Sequence, residues 1–212
     1  MSLSASVSPS RHMSVDQYLT SERQSAVRHE YLAGEVFAMS GAGARHNSVL
    51  ARVFAEMARH LRGSPLQLLS ADMKVRIKTH MREYFYYPDL MVITDADQSE
   101  GQRLSFVRSP RLIAEVISPS TENIDRREKA LMYREIAALE EYALIASEKC
   151  EVTVYRRQLD WRPILCNTLA QVAELRSIDL SLPLTRIYLG PADESACEPN
   201  TAVRESQVRR QP

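Results

Sequence analysis

The chain has 212 residues, 44% of them hydrophobic and 25% charged, a make-up that allows a sizeable buried core. Lysine plus arginine and aspartate plus glutamate both total 27, so the net charge is zero. That balance excludes a strongly basic nucleic-acid coat, although a local basic patch stays open. Cys150, Cys166 and Cys197 have neither zinc-finger spacing nor the even count of a disulfide framework, and a reducing cytoplasm is the expected location. No apolar run reaches the roughly 18 residues of a membrane helix. The opening MSLSASVSPSRHMS lacks the apolar stretch of a secretory signal, so no cleaved leader is expected.

Residues 1–13 are serine-rich and expected to be loose. Ser14 and Gln17 have capping-box spacing, which predicts a short helix to about residue 25. In HEYLAGEVFAMSG, the Ala33-Gly34 centre between short apolar flanks predicts a tight hairpin. Over residues 44–63, Val49, Leu50, Val53, Phe54, Met57 and Leu61 keep helical spacing, with Gly63 as a stop. Residues 73–78, MKVRIK, alternate apolar and basic as a half-exposed strand does. Residues 85–93, FYYPDLMVI, read as another strand, and a polar connection leads to RLIAEVIS at 111–118, a third. Pro119 ends it, and Ser120 or Thr121 can cap a helix to about residue 138. Residues 141–146 and 151–155 read as two strands joined by a turn, with weaker strands over 161–166 and 169–175. The tail from about residue 191 is polar and expected to be disordered, and no repeat is visible. This order predicts an α/β protein with a mixed central sheet flanked by helices, in a single domain over 14–190.

Two acids stand where strands should be apolar. In RLIAEVIS, Glu115 shares a strand face with Ile113 and Ile117, while Leu112, Ala114 and Val116 line the other face. Asp89 stands beside Pro88 within the preceding strand, on the face of Tyr87, Met91 and Ile93. A lone carboxylate in a central strand costs several kcal/mol or stays protonated. On the following helix, Asp125, Lys129, Met132, Tyr133 and Ile136 form one stripe, and Lys129 is its basic member. A right-handed connection packs such a helix back over the sheet. The three charges Asp89, Glu115 and Lys129 are therefore expected to converge. Two acids of this kind suit a hard divalent cation, and an ammonium beside them can orient water. That is machinery for hydrolysing a phosphodiester. The other reading is that each acid belongs to a structural ion-pair network with arginine or lysine.

At these residues the chain resembles a known family. Pro88-Asp89, Glu115-Val-Ile-Ser-Pro-Ser-Thr121, Asp125, Lys129 and Tyr133 are similar to the pattern of the Uma-two family of proposed endonucleases, formerly a domain of unknown function. Glu30-Tyr-Leu-Ala-Gly-Glu35, Arg45-His46 and Glu141-Tyr142 extend the resemblance over about residues 14–189. It implies a restriction-endonuclease-like αβββαβ core with extra strands. It also implies Asp89 and Glu115 as ligands of magnesium or manganese, the Val116 carbonyl as a further ligand, and Lys129 as the catalytic lysine. In that fold the lysine usually follows the acid by two residues; Ile117 occupies that place here, so the amine has moved to the helix. Ala33 replaces the family's acid in the first loop, and Tyr142-Ala-Leu-Ile145 replaces Tyr-Trp-Leu-Val. Homodimerisation is implied as well.

Other candidates carry two readings each. Glu35 is either a further acid of the site or an exposed hairpin carboxylate. His46 either supports phosphate or a metal ligand or is a local surface histidine. Glu56 is either the further acid that the resembled fold often places on this helix or a surface partner of Arg52 and Arg59, and His12, His29, His60 and His80 lack metal-ligand spacing. Lys74, Arg76 and Lys78, with Arg82 beyond, form a basic row that either tracks phosphates or is a solvated face. Residues 84–87, YFYY, either stack bases or pack in the core. The expected function is metal-dependent phosphodiester hydrolysis, with DNA as substrate. A catalytically silent binding module on the same scaffold, or a hydrolase of small phosphoesters, is the alternative.

Overall fold

A computed structural model describes residues 12–39, 41–70, 72–94, 105–118 and 124–189. Helix α1 (Val15–Gln24) begins at the predicted capping box. The Gln17 amide donates to Ser14 Oγ at 3.3 Å and the Ser14 amide to Gln17 Oε1 at 2.9 Å. Strands β1 (His29–Leu32) and β2 (Glu35–Ala38) form the predicted hairpin. Ala33 and Gly34 both take positive φ, 54° and 110°, as a two-residue turn of right-handed strands requires. Helix α2 (Ala44–His60) buries Val49, Val53 and Met57 along one stripe.

Then follow β3 (Leu66–Ser70), β4 (Lys74–Lys78), β5 (Glu83–Tyr86), β6 (Leu90–Thr94), β7 (Phe106–Val107) and β8 (Leu112–Ile117). A π-helical turn (Ile124–Lys129) runs into α3 (Ala130–Arg134). Strands β9 (Glu141–Ala146), β10 (Val152–Arg156), β11 (Pro163–Cys166), β12 (Val172–Leu175) and β13 (Leu180–Pro183) lead to α4 (Leu184–Tyr188). No helix among the described residues is long and apolar enough to cross a membrane.

Three expectations need correction. The strand expected over residues 85–93 is two strands, β5 and β6, in different sheets. Pro88 lacks an N–H for a ladder and restricts the residue before it, so the chain changes sheet there. Strand β3 was not anticipated, since LQLLS shows no period-two pattern. The helix predicted to reach residue 138 ends at Arg134. Its proposed caps, Ser120 and Thr121, lie outside the described residues, as do nearly all of the N-terminal segment expected to be loose and the C-terminal tail.

The six-stranded mixed sheet has the order β11-β10-β9-β8-β6-β3. Its central strands β8 and β9 are parallel and buried on both faces, while β6 pairs antiparallel with β8. One face packs α2, α4 and the β12–β13 hairpin, with Leu112, Ala114 and Val116 in that core. The other face carries Ile113 and Ile117 and packs α3 and the five-stranded sheet β2-β1-β5-β4-β7. Tyr31 and Phe85, on that sheet's far side, close over Tyr18 of α1.

A buried ion pair fastens the C-terminal strands to β9. Glu141 and Arg156 are 2% and 7% exposed, and Arg156 Nε donates to Glu141 Oε1 at 2.7 Å. Glu141 Oε2 accepts from the Ser177 amide at 2.7 Å and hydroxyl at 2.6 Å, and Arg156 also donates to the Glu174 carbonyl. Removing one partner leaves a buried charge uncompensated. Glu141→Ala is expected to lower unfolding free energy by about 3–5 kcal/mol in urea denaturation; a loss below about 1 kcal/mol would show the pair to be dispensable.

Candidate active site

The break between β5 and β6 places Asp89 beside the end of β8. Extending the register that pairs Leu90 with Ala114 brings residue 89 opposite Glu115. The two residues do not continue the ladder. Instead the Asp89 amide donates to Glu115 Oε2 at 3.1 Å, and the Val116 amide donates to Asp89 Oδ2 at 2.8 Å. Each acid satisfies a main-chain donor at the other's strand end, so the two side chains are tied to the same junction.

Glu115 is 3% exposed, and its burial is made tolerable by at least three donors. Besides the Asp89 amide, Tyr133 Oη donates to Glu115 Oε1 at 2.8 Å and Lys129 Nζ approaches the same oxygen at 3.4 Å. Lys129 and Tyr133 stand four residues apart, at the end of the π-turn and inside α3, on one face of the helical segment. Complete burial, reinforced by the Glu115 charge, pushes the Tyr133 hydroxyl well above its ordinary pKa, so it remains a donor at neutral pH. Its ring packs edge-on to Tyr86 and Tyr142 at 5.7 and 5.1 Å.

The five-stranded sheet supplies a further carboxylate. Glu30 Oε1 on β1 lies 3.1 Å from Lys129 Nζ and accepts the Tyr87 amide at 3.4 Å. The lysine also sits 5.8 Å above the Tyr86 ring. From α2, His46 Nε2 comes within 3.4 Å of Asp89 Oδ1.

The Uma2 profile, described as “Putative restriction endonuclease”, matches residues 15–186. The chain belongs to the Uma2 family. Two relatives, each described as an uncharacterized protein, come from Synechocystis sp.. The protein slr1290 is 31% identical over 185 residues, covering 87% of this chain and 95% of its own. The protein sll1609 is 28% identical over 169 residues, covering 80% and 94%. A solved Anabaena variabilis structure, described as “a putative nuclease belonging to DUF820”, aligns with a TM-score of 0.66 over 82% of this chain and 97% of its own. At 14% identity that likeness concerns fold, and it is the nuclease-type α/β fold expected from the resemblance.

In this Uma2 chain Asp89, Glu115, Lys129, Tyr133 and His46 come together. Glu35 does not join them: it is exposed on β2 opposite Leu32, beside a surface concavity lined by Lys78, His80 and Arg82. The side chain of Asp125 lies outside the described residues. Glu30 was missed as a site residue, although Glu30 and Lys129 both stood within the family pattern. Pairing them requires knowing that β1 lies within reach of the end of the π-turn.

Tertiary contacts take Lys74 and Arg76 out of the basic row, while Lys78 and Arg82 stay exposed. Lys74 is buried and donates to Tyr87 Oη at 3.2 Å, and Tyr87 in turn donates to Glu22 at 2.8 Å. Burial lowers the pKa of the Lys74 ammonium. Arg76 grips Glu83 with two hydrogen bonds of 2.9 Å. Of residues 84–87, Phe85, Tyr86 and Tyr87 are buried, so packing is their role. Glu56 pairs with Arg59 at 2.6 Å.

Two carboxylates form a hard oxygen donor set. No group of three or more His, Cys, Asp or Glu side chains suited to a metal gathers among the described residues. A cation here would thus draw on Asp89, Glu115, backbone oxygen and water. Oxygen donors completed by water are the kind of set that magnesium and manganese accept. Tyr133→Phe keeps the ring contacts and removes the donor to Glu115. It is expected to cost about 1.5–3 kcal/mol of stability in urea denaturation; an unchanged midpoint would contradict this role for the hydroxyl.

Proposed function

We propose that this protein is a divalent-metal-dependent endonuclease that hydrolyses phosphodiester bonds in DNA. The observation that carries the reading is the meeting of Asp89, Glu115 and Lys129, from three separate elements, at the junction of β6 and β8. Family membership and the nuclease-type fold support it, and the choice of DNA follows the fold by analogy.

Asp89 and Glu115 would hold magnesium or manganese, with the Val116 carbonyl as a further ligand. Bound there, the cation supplies Lewis-acid polarisation of the phosphate and makes water more acidic. The chain's own groups do the remaining work. The crossed amide–carboxylate bonds fix the spacing of the two acids before substrate arrives. Lys129, held between Glu30 and Glu115, orients the attacking water and offsets the negative charge that develops on the phosphoryl oxygens. Glu30 and the Tyr86 ring keep that ammonium from swinging away from the sheet. His46 steadies the outer oxygen of Asp89. Two copies of the chain acting together would address both strands of a duplex, so we propose a homodimer.

In a magnesium-dependent plasmid-nicking assay, Asp89→Asn and Lys129→Met are each expected to reduce cleavage at least a hundred-fold, within the range known for positioned catalytic groups. The Asp89→Asn variant should keep the far-ultraviolet circular dichroism of the parent. Wild-type rates in either variant would refute the assignment. Absence of nicking and of magnesium uptake in the parent, with retained DNA binding, would favour a catalytically silent module. Sedimentation should give a two-chain mass; a one-chain mass would remove the dimer.

A further inference from the structure

Strand β2 is the edge of the five-stranded sheet, and Phe37 on it is 46% exposed. Single exposed phenylalanines are common and by themselves mean little. The register gives this one significance. Phe37 is the direct partner of Glu30 across the β1–β2 pair. Directly opposed residues of antiparallel strands project to the same face, with Cβ atoms about 4.5–5.5 Å apart. Glu30 uses that face to hold Lys129 at 3.1 Å. An open aromatic ring therefore adjoins the carboxylate that positions the ammonium.

The same face carries Tyr86, buried beneath Lys129, and Tyr84, which stacks on Tyr86 with planes 3° apart. Phe85 points to the other face and is enclosed by Tyr18 and Tyr31. Phe37 is thus the exposed ring on the face that presents Glu30 and Tyr86. A flat apolar surface next to a centre that handles phosphate suits the group attached to the neighbouring phosphate, a nucleobase.

We propose that Phe37 is a substrate-contacting residue that stacks an unpaired nucleobase flanking the cleaved phosphodiester. This rests on the nuclease reading above and deepens it. A base inside a duplex is already stacked on its neighbours and cannot offer a face to a ring, so the contact adds affinity where a strand is single, frayed or bulged and none on intact duplex.

The test is fluorescence anisotropy of the metal-free full chain with labelled single-stranded and duplex oligonucleotides, comparing the parent with Phe37→Ala and Phe37→Trp. Phe37→Ala is expected to weaken single-strand binding by roughly five- to a hundred-fold, the range of one base–aromatic stack. Phe37→Trp should keep it, and duplex binding should change little in either variant. With magnesium, Phe37→Ala should raise KM for a single-stranded substrate and leave kcat unchanged. Equal single-strand affinity in Phe37→Ala and parent overturns the proposal, and nicking by the parent in that case leaves the nuclease reading standing. A parent that neither binds DNA nor nicks it overturns both. A lower sedimentation mass for Phe37→Ala, with DNA affinity unchanged, assigns this edge to a second copy of the chain and also overturns the proposal.

Discussion

Two hydrogen bonds cross between the ends of β6 and β8: the Asp89 amide to Glu115, and the Val116 amide to Asp89. Buried main-chain donors must find partners, and here the ladder cannot provide them because Pro88 has just carried the chain from one sheet to another. The acids fill that gap. Their charge would otherwise be expensive in a strand buried on both faces. Being used as acceptors by the backbone, by Tyr133 and by Lys129 offsets that expense. The feature that closes the strand ends is therefore the same feature that presents two carboxylates side by side.

Everything else at the site is arranged around this junction. The six-stranded sheet is a rigid partition, and its two faces deliver different groups. Helix α2 brings His46 from one side to Asp89. The π-turn and α3 bring Lys129 and Tyr133 from the other side to Glu115. π-Helical turns often occur at functional sites, and this one ends at the lysine. The five-stranded sheet then supports the ammonium from below through Glu30 and Tyr86. Glu30 also takes the Tyr87 amide, so the same carboxylate links the lysine to the backbone two residues before Asp89.

Much of this could be read from local pattern. Glu115 stood out because a strand with two apolar faces has no ordinary place for an acid. The spacing of Lys129, Tyr133 and Ile136 indicated which side of the helical segment meets the sheet, and all three are buried. Ser14 with Gln17, and Ala33 with Gly34, encode a cap and a turn within a few residues, which is why those features were legible. What escaped depends on contacts between distant segments. Lys74 looked like part of an exposed basic row because its partners, Tyr87 and Glu22, lie on other elements. Glu30 draws no reading of its own from the sequence because its partner, Lys129, stands on a distant element. Strand β3 lacks alternation because its Leu66, Gln67, Leu68 and Leu69 are all half-buried at an edge. The split at Pro88 was signalled by the proline itself, yet aromatic and branched residues on both sides made one strand the simpler reading.

The crossed pair of acids is either a cation site or a self-sufficient structural lock. Anomalous diffraction from crystals of the protein soaked in manganese addresses this without reference to any substrate. We predict a peak between the Asp89 and Glu115 carboxylates, about 2.0–2.3 Å from the nearest oxygen of each, a hard-cation contact. Diffraction with no peak there, or with manganese bound only elsewhere, would contradict the account and leave the two acids as partners of Lys129, Tyr133 and the backbone.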